Sequence, residues 1–134
     1  MKVVLDTNII VSSLLNPHGP SAQIVALVWT GDLIACCDTR IFLEYRTVLS
    51  RDKFGFATDM LEDFLKNFEY DSHWVVAKPL AYKFTDKDDA KFLEVAVAAK
   101  AQYLITGNLK HFPAHKTYNV HVVSPAKFLT YLEQ

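Results

Sequence analysis

Several oxygen-bearing side chains follow the apolar runs of this 134-residue sequence, where they could meet at one edge of a folded sheet. They are Asp6 after KVVL, Glu44 in IFLEYR, Asp88 and Asp89 at the head of an Ala-rich segment, and Asn108 after YLITG. Carboxylates that crowd together repel each other unless a positive group lies among them. Hard divalent cations such as Mg²⁺ or Mn²⁺ take oxygen ligands from a few carboxylates and keep several waters. The pattern therefore predicts a divalent-metal site, provided that the fold brings these residues together.

Each acid also has a structural explanation that the sequence leaves open. Asp6 could cap a helix that begins directly after it. The three aspartates between 86 and 89 could favour the positive end of a helix dipole, with Thr85 at capping-box distance from the middle one. Glu44 could pair with Arg40, one helical turn earlier, or remain a solvated surface charge. A shared location of the acids would favour the metal site over these alternatives.

Short apolar runs recur along the chain and predict five strands. They are KVVLD (2–6), LIACC (33–37), HWVVAK (73–78), YLIT (103–106) and VHVVS (120–124). The segments between and after these strands show the apolar spacing of helices. They are SAQIVALVWTGD, which Ser21 opens and which stops near Gly31, TRIFLEYRTVLSR after the cap Asp38, ATDMLEDFLKNFEY (57–70), TDKDDAKFLEVAVAAKA (85–101), and AKFLTYLEQ after Ser124-Pro125.

This alternation of strands and helices predicts an α/β fold with a mostly parallel sheet of about five strands. In such sheets, ligands bind beyond the C-terminal ends of the strands, near the point where the strand order reverses. The candidate ligands lie at or shortly after predicted strand ends. The fold class therefore favours a shared site over scattered surface charges.

Length and composition limit the function classes. With 134 residues, 51% hydrophobic content and no internal repeat or linker, the chain predicts one domain spanning 1–134. A formal net charge of −1 excludes a histone-like basic protein, so nucleic-acid binding would need a local basic patch. The adjacent Cys36 and Cys37 are expected to be buried thiols in a reducing compartment. Because Asp6 interrupts the first apolar run and no run is long enough to span a bilayer, we expect a cytoplasmic protein without membrane contact.

Three stretches of the sequence resemble the signature blocks of the PIN domain family. They are LDTNIIVSSLL, IFLEYRTVLSRDKF and DKDDAKFLEVAVAAKAQYLITGNLKHFP, in this order over essentially the whole chain. The likeness is to the branch of VapC-like toxins of toxin–antitoxin pairs. The resemblance implies a Rossmann-like three-layer α/β/α domain and a Mg²⁺- or Mn²⁺-dependent nuclease, usually acting on RNA.

The resemblance also assigns roles to individual residues. Asp6 matches the first acid of the family motif, Glu44 the second and Asp89 the third, with Asp88 as the adjacent alternative. These acids would hold the cation that activates water for phosphodiester hydrolysis. The fourth acid of the pattern stands here as Asn108, which leaves three or four carboxylates and argues against a tightly held second metal.

Polar residues beside these acids are expected to support the site by hydrogen bonds. Asn8 and Thr106 match the supporting positions of the family, and Thr7 and Asn108 lie one and two residues from them in sequence. This expectation also comes from the resemblance.

Basic residues could track the backbone of a single RNA strand. They are Arg40, Arg46, Arg51 and Lys53 near the second block, and Lys110, His111 and Lys116 after the fourth strand. Each could equally belong to a solvated surface. His111 and His115 have the spacing of a helical zinc site, but Pro113 between them argues against a continuous helix.

Three functional hypotheses follow from the sequence. The first is a metal-dependent endoribonuclease that acts as the toxin of a pair neutralised by a small antitoxin, with a homodimer common in the family. The second is a nuclease of the same fold in RNA maturation or DNA processing. The third is a catalytically weak module that binds RNA or a protein partner, which the Asn108 position makes worth considering.

Overall fold

The computed structural model of the chain describes residues 1–81, 83–113 and 118–134. Its strands are β1 (Lys2–Leu5), β2 (Ile34–Cys37), β3 (His73–Trp74), β4 (Tyr103–Ile105) and β5 (His121–Val123). They form one sheet in the order β3-β2-β1-β4-β5, and every neighbouring pair is parallel. The predicted five-strand parallel sheet is therefore confirmed.

Six α-helices of the described residues cover this sheet. They are α1 (Thr7–Leu15), α2 (Pro20–Trp29), α3 (Thr39–Leu49), α4 (Thr58–Asp71), α5 (Ala90–Ala99) and α6 (Pro125–Leu132). Helices α1 and α6 both pack on α2, whereas α5 packs on β1, β2 and β4. Because crossovers in parallel sheets are right-handed, connections that run in opposite directions along the sheet lie on its two faces. The architecture is the three-layer α/β/α arrangement.

Local side-chain chemistry sets the helix starts. Asp38 caps α3 as predicted, since its carboxylate accepts from the Ile41 N–H at 3.0 Å. Helix α2 begins at Pro20 rather than at the predicted Ser21. Proline suits the first helical position because its φ is already helical and the N–H that it lacks would have no helical partner there.

The third strand is shorter than predicted. Within the run 73–78 the strand covers only His73–Trp74, and Val75 adds one backbone hydrogen bond to the Cys37 carbonyl at 3.1 Å. Val76, two residues on, is 95% exposed, so burial does not hold it against the sheet. Pro79 then follows, and proline has no N–H to donate to a strand ladder.

The helix predicted over 85–101 is also shorter, because its first turn has a different geometry. Residues Lys87–Asp89 form a 3₁₀ turn, and the α-helix begins only at Ala90. The Asp86 carboxylate accepts from the Asp88 N–H at 2.9 Å and caps this turn. The capping-box alternative with Thr85 is therefore wrong, and Asp86 performs that role.

The central strand β1 and its neighbour β4 are buried over all but their first residues. Val3, Val4 and Leu5 of β1 and Leu104 and Ile105 of β4 have no exposed surface. Parallel sheets are covered by helices on both faces, so their strands are continuous apolar runs. This burial holds the C-terminal ends of β1 and β4 in fixed register, with Leu5 opposite Ile105.

The two cysteines are buried free thiols, as the sequence predicted. Burial raises the pKa of Cys36 to about 11 and the pKa of Cys37 to about 12. The thiolate is the reactive form, so both side chains are unreactive near neutral pH. Among the described residues, no helix combines the length and the apolar character that a membrane span requires.

The buried Tyr45 of α3 holds the end of β1. Its hydroxyl donates to the Leu5 carbonyl at 2.5 Å, and its ring meets Phe68 edge-on with centroids 5.3 Å apart. Burial raises the pKa of Tyr45 well above its ordinary value, so the hydroxyl stays a neutral donor.

We expect Tyr45→Phe to lower the free energy of unfolding by about 1–3 kcal/mol, because the buried Leu5 carbonyl loses this donor. Urea denaturation measures the change. The matched control is Tyr70→Phe, since Tyr70 is 89% exposed and its hydroxyl can be solvated. The control should change stability by less than about 0.5 kcal/mol. Equal effects of the two substitutions would contradict a role for the Tyr45 hydroxyl.

Candidate active site

The carboxylate of Asp6 lies at the C-terminal end of β1 and is largely buried, with the residue 7% exposed. Its Oδ1 accepts from the Thr7 N–H at 2.7 Å, so Asp6 does cap α1. Its Oδ2 accepts from the Thr106 hydroxyl at 2.7 Å and from the Asn8 amide at 3.3 Å. The capping explanation is correct but incomplete, because the second oxygen serves contacts that a cap does not need.

Asn8 and Thr106 connect the start of α1 with the loop that follows β4. Asn8 Oδ1 accepts from the Gly107 N–H at 3.0 Å, and the fully buried Thr106 accepts from the Asn108 N–H at 2.9 Å. Strands β1 and β4 are neighbours, and the chain leaves them in opposite directions along the sheet. Asp6 and its donors therefore lie at the point where ligands bind in open α/β sheets.

Glu44 of α3 is held by two partners, and neither is the predicted Arg40. The Thr7 hydroxyl donates to Glu44 Oε2. The Lys91 ammonium lies 2.7 Å from Glu44 Oε1. The Arg40 alternative is wrong because the Arg40 side chain pairs elsewhere, with Asp38 and with Glu94 of α5, each at 2.7 Å.

The basic residues predicted to contact RNA differ in their surroundings. The Arg40 guanidinium forms the two ion pairs just described, and Arg46 pairs with Glu62 at 2.6 Å. Lys110 is exposed in the 3₁₀ turn Leu109–His111 after β4. His115 and Lys116 lie outside the described residues.

Asp89 stands at the start of α5, and its carboxylate faces His111. The distance from Asp89 Oδ2 to His111 Nδ1 is 3.4 Å, and the Asp89 side chain is 15% exposed. The neighbouring Asp88 is exposed, and its backbone carbonyl accepts from the Lys91 ammonium. Of the two adjacent acids, Asp89 is thus the one that points its side chain into the site.

The acidic side chains of the candidate site interact electrostatically. Burial raises the pKa of Asp6, the hydrogen bonds from Thr106 and Thr7 lower it, and the Glu44 charge raises it further. Burial also raises the pKa of Asp89, which His111 lowers and the charges of Asp86 and Asp6 raise. Asp6 therefore lies within electrostatic reach of Glu44 and of Asp89, although the three acids come from separate parts of the chain.

The donor chemistry partly fits a hard divalent cation. Asp6 and Asp89 offer carboxylate oxygens whose mutual repulsion a cation would relieve, and Mg²⁺ is usually bound by one or two carboxylates with several waters. Both oxygens of Glu44 are engaged, by the Thr7 hydroxyl and the Lys91 ammonium. Both oxygens of Asp6 also accept hydrogen bonds, so a cation would have to use the remaining lone pairs of these carboxylates. Within residues 1–81, 83–113 and 118–134, no group of three or more His, Cys, Asp or Glu has the geometry of a metal site. Asn108 is exposed and contributes its backbone N–H to Thr106.

Sequence reasoning missed Lys91 and the pairing of His111 with an acid. Lys91 lies in the third block, but an ordinary lysine in an amphipathic helix gives no sign that it will be buried. The available signal was spacing, since Lys91 and Glu94 lie on one face of α5, as Arg40 and Glu44 lie on one face of α3. For His111, the sequence predicts only an RNA or a zinc contact.

A five-strand parallel sheet with helices on both faces and an acid at its switch point defines a Rossmann-like α/β domain. The model of the PIN domain family matches residues 2–110, so the chain belongs to the PIN domain family. Its fold is similar to a chain in the crystal structure of VapBC2 from Rickettsia felis bound to a DNA fragment from their promoter. That match has a TM-score of 0.57 and 18% identity, and it covers 92% of this chain and 98% of that chain. A comparison with curated proteins finds no significant match.

In the absence of metal, we expect Asp6 and Asp89 to lower stability as pH rises from about 4, the ordinary pKa of an aspartate, through their raised folded-state pKa values. These carboxyls bind protons more tightly in the folded state than in the unfolded state, so the unfolding free energy decreases with pH in this window. Asp89→Asn removes one of the two carboxyls that cause this decrease. The unfolding free energy of the variant should therefore rise relative to that of wild type as pH increases.

Urea unfolding in chelator at several pH values between about 4.5 and 7 measures this difference. The control is Asp63→Asn, which removes an exposed carboxylate on α4 and should change stability by less than about 0.5 kcal/mol. A loss of stability in Asp89→Asn at neutral pH would show that the contact with His111 outweighs burial and repulsion.

Proposed function

We propose that this PIN domain is a metal-dependent ribonuclease whose site is built from Asp6, Glu44 and Asp89, with Asp88 as the neighbouring acid. The observation that carries the proposal is the buried Asp6 carboxylate at the sheet's switch point, with two like charges within electrostatic reach. Such an arrangement is unfavourable by itself, and perturbed acids in this position are typical of functional sites.

In this proposal the acidic residues and their hydrogen-bond donors have different roles. Asp6 and Asp89 would hold Mg²⁺ or Mn²⁺, and Thr106, Asn8 and the Thr7 N–H fix the orientation of the Asp6 carboxylate. When bound, the cation supplies an activated water and stabilises charge on the phosphate and the leaving oxygen. Glu44, held by Thr7 and Lys91, would keep its negative charge beside this site without being a free ligand.

RNA as substrate and an antitoxin as partner are the finer parts of the proposal. The structure of similar fold comes from a complex named VapBC2 bound to promoter DNA, and the signature blocks resemble VapC-like toxins. We therefore propose a single PIN domain over 1–134 that acts on single-stranded RNA in the cytoplasm and is neutralised by a small antitoxin, with a homodimer as its assembly. Lys110, which is exposed and close in sequence to His111, is the proposed RNA contact.

A second candidate is a weakly catalytic RNA- or protein-binding module. It is favoured by two observations: Asn108 stands where the family pattern has an acid, and Glu44 has both oxygens engaged. Nuclease activity in RNA maturation or DNA processing is the other alternative. The same cleavage assay separates these functions.

The experiment that tests the proposal is incubation of a pool of cellular RNAs with the purified chain, with Mg²⁺, with Mn²⁺ and in chelator, followed by mapping of the new ends. Cuts at defined positions that require the cation support the ribonuclease. Duplex and single-stranded DNA of the same sequences serve as competing substrates. No cleavage of RNA at any metal concentration would favour the binding module.

Asp6→Asn and Asp89→Asn should abolish cation-dependent cleavage, because each removes a charge from the proposed metal site. Glu44→Gln should lower the cleavage rate by about 10–100-fold, the usual effect of losing a group that supports a metal site. Initial rates on one mapped RNA provide the comparison. Glu62→Gln, which removes the exposed partner of Arg46, is the control and should retain the wild-type rate.

Mg²⁺ or Mn²⁺ should raise the melting temperature of wild type in low-salt buffer, because an ion that binds only the folded state stabilises it with concentration. Asp6→Asn should show a much smaller shift. Thermal melts across a metal titration give both curves. Equal shifts in the two proteins would mean that the ions act nonspecifically.

A further inference from the structure

A cavity lies beside the candidate site, between α1, α3 and the 3₁₀ turn Asp52–Phe54. Its volume is about 340 Å³, which falls at the small end of the range for small-molecule sites. Val11 and Leu15 line it from α1, Val48 lines it from α3, and Phe54 lines it from the turn. Leu15 is 55% exposed and the other three residues are partly buried, so solvent reaches this apolar lining.

The cavity is continuous with the surroundings of the Asp6 carboxylate. Thr7 and Asn8 belong to its wall, and the Thr7 N–H and the Asn8 amide donate to Asp6 at 2.7 and 3.3 Å. In a nucleic acid, one sugar joins each phosphate to its base. A strand that places a phosphate beside Asp6 therefore brings one of its bases to this cavity.

The polar groups of the lining suit the edge of a base. Ser12 is exposed, lies one turn after Asn8 and lines the cavity, and within the described part of the chain its hydroxyl has no hydrogen-bond partner. The Asn8 amide carries two N–H groups, of which one donates to Asp6. An aliphatic side chain of a protein partner needs no such donors, whereas an unstacked base in single-stranded RNA is bound by ring contacts and by hydrogen bonds to its edges.

Two cations stand beside Phe54, and the sequence predicts both as contacts of an RNA backbone. Arg51 and Lys53 are exposed, and neither forms an ion pair with a carboxylate of the described residues. The Lys53 ammonium lies 5.1 Å from the centroid of the Phe54 ring. Phe56 holds that ring from the side, with nearly parallel planes and centroids 5.6 Å apart. An aromatic ring with cations near it is the combination that binds single-stranded nucleic acid.

We propose that this cavity binds one base of the RNA strand, which packs against Phe54 while Arg51 and Lys53 contact the adjoining phosphates. The inference rests on the proposed nuclease function, and it adds the site that holds the nucleotide next to the cut. Asn8 and Ser12 contact the edge of the base. No divalent ion takes part in this contact.

The test measures the binding of RNA in chelator, where cation-dependent cleavage does not interfere. The full chain is titrated into a short, fluorescently labelled single-stranded RNA in low-salt buffer, and anisotropy gives the affinity. Phe54→Leu keeps an apolar side chain and removes the ring, so it should weaken binding by about 5–50-fold, as expected for the loss of one base–aromatic contact. Phe54→Tyr keeps the ring and should bind as wild type does.

The matched control is Tyr70→Leu, which removes an 89% exposed ring from α4 and should leave the affinity unchanged. Ser12→Leu fills the cavity from an exposed position of α1 and leaves Phe54 in place, so it should also weaken binding. It keeps the proposal testable if Phe54→Leu does not fold, and melting curves establish which variants are folded.

An abasic strand of the same length identifies the group that is bound. Wild type should bind it more weakly than the intact RNA, because the cavity then has no base to hold. Wild type and Phe54→Leu should bind the abasic strand equally, since the ring makes its contact with the base. The cations still contact the phosphates in both proteins.

Other outcomes would overturn the inference. Equal affinities of wild type, Phe54→Leu and Ser12→Leu for intact RNA would do so and would favour a protein segment as the occupant of the cavity. A loss in Phe54→Leu that persists with the abasic strand, or no binding of RNA by wild type, would do so as well. These results leave the nuclease proposal to the cleavage assay. Binding that depends on the base and on Phe54, without cleavage of any RNA, would instead support the inference and contradict the nuclease.

Discussion

The burial of the Asp6 carboxylate is the constraint on which the candidate site depends. A charge removed from water is costly unless donors replace the lost hydration. Its donors come from the first two residues of α1 and from Thr106 at the end of β4. These elements must therefore meet in one register, with Leu5 opposite Ile105. A slip of one residue would turn the side chains after the strand to the wrong face.

The remaining charges are arranged around this carboxylate by α3 and α5. Neither helix adjoins β1 in sequence. Even so, the Glu44 charge raises the pKa of Asp6, and the Asp6 charge raises the pKa of Asp89. Lys91 and His111 offset part of the repulsion. The pKa values of Asp6 and Asp89 remain raised, chiefly because both carboxyls are buried and further because of the neighbouring negative charges. Natural proteins keep such unfavourable local arrangements mainly where function requires them.

The differences from the predicted elements have local causes. The strand run at 73–78 satisfies the pattern of a strand, but it lies at the sheet edge and runs into Pro79. The segment 85–101 has the pattern of a continuous helix, but the Asp86 side chain captures the Asp88 N–H and tightens the first turn. Such hydrogen bonds from a side chain to the nearby backbone compete with helix formation over two or three residues. The apolar periodicity of the sequence does not reveal them.

The sequence by itself determined the fold class and the five strands, because apolar periodicity and the alternation of elements depend on local pattern and chain order. It also determined family membership, through three blocks in register. Only the tertiary structure decided the partners: Glu44 with Lys91 rather than Arg40, and Asp89 with His111. Residues four apart on a helix can pair, but a carboxylate pairs with whichever cation the packing of α3 on α5 presents, and that packing depends on residues far apart in sequence.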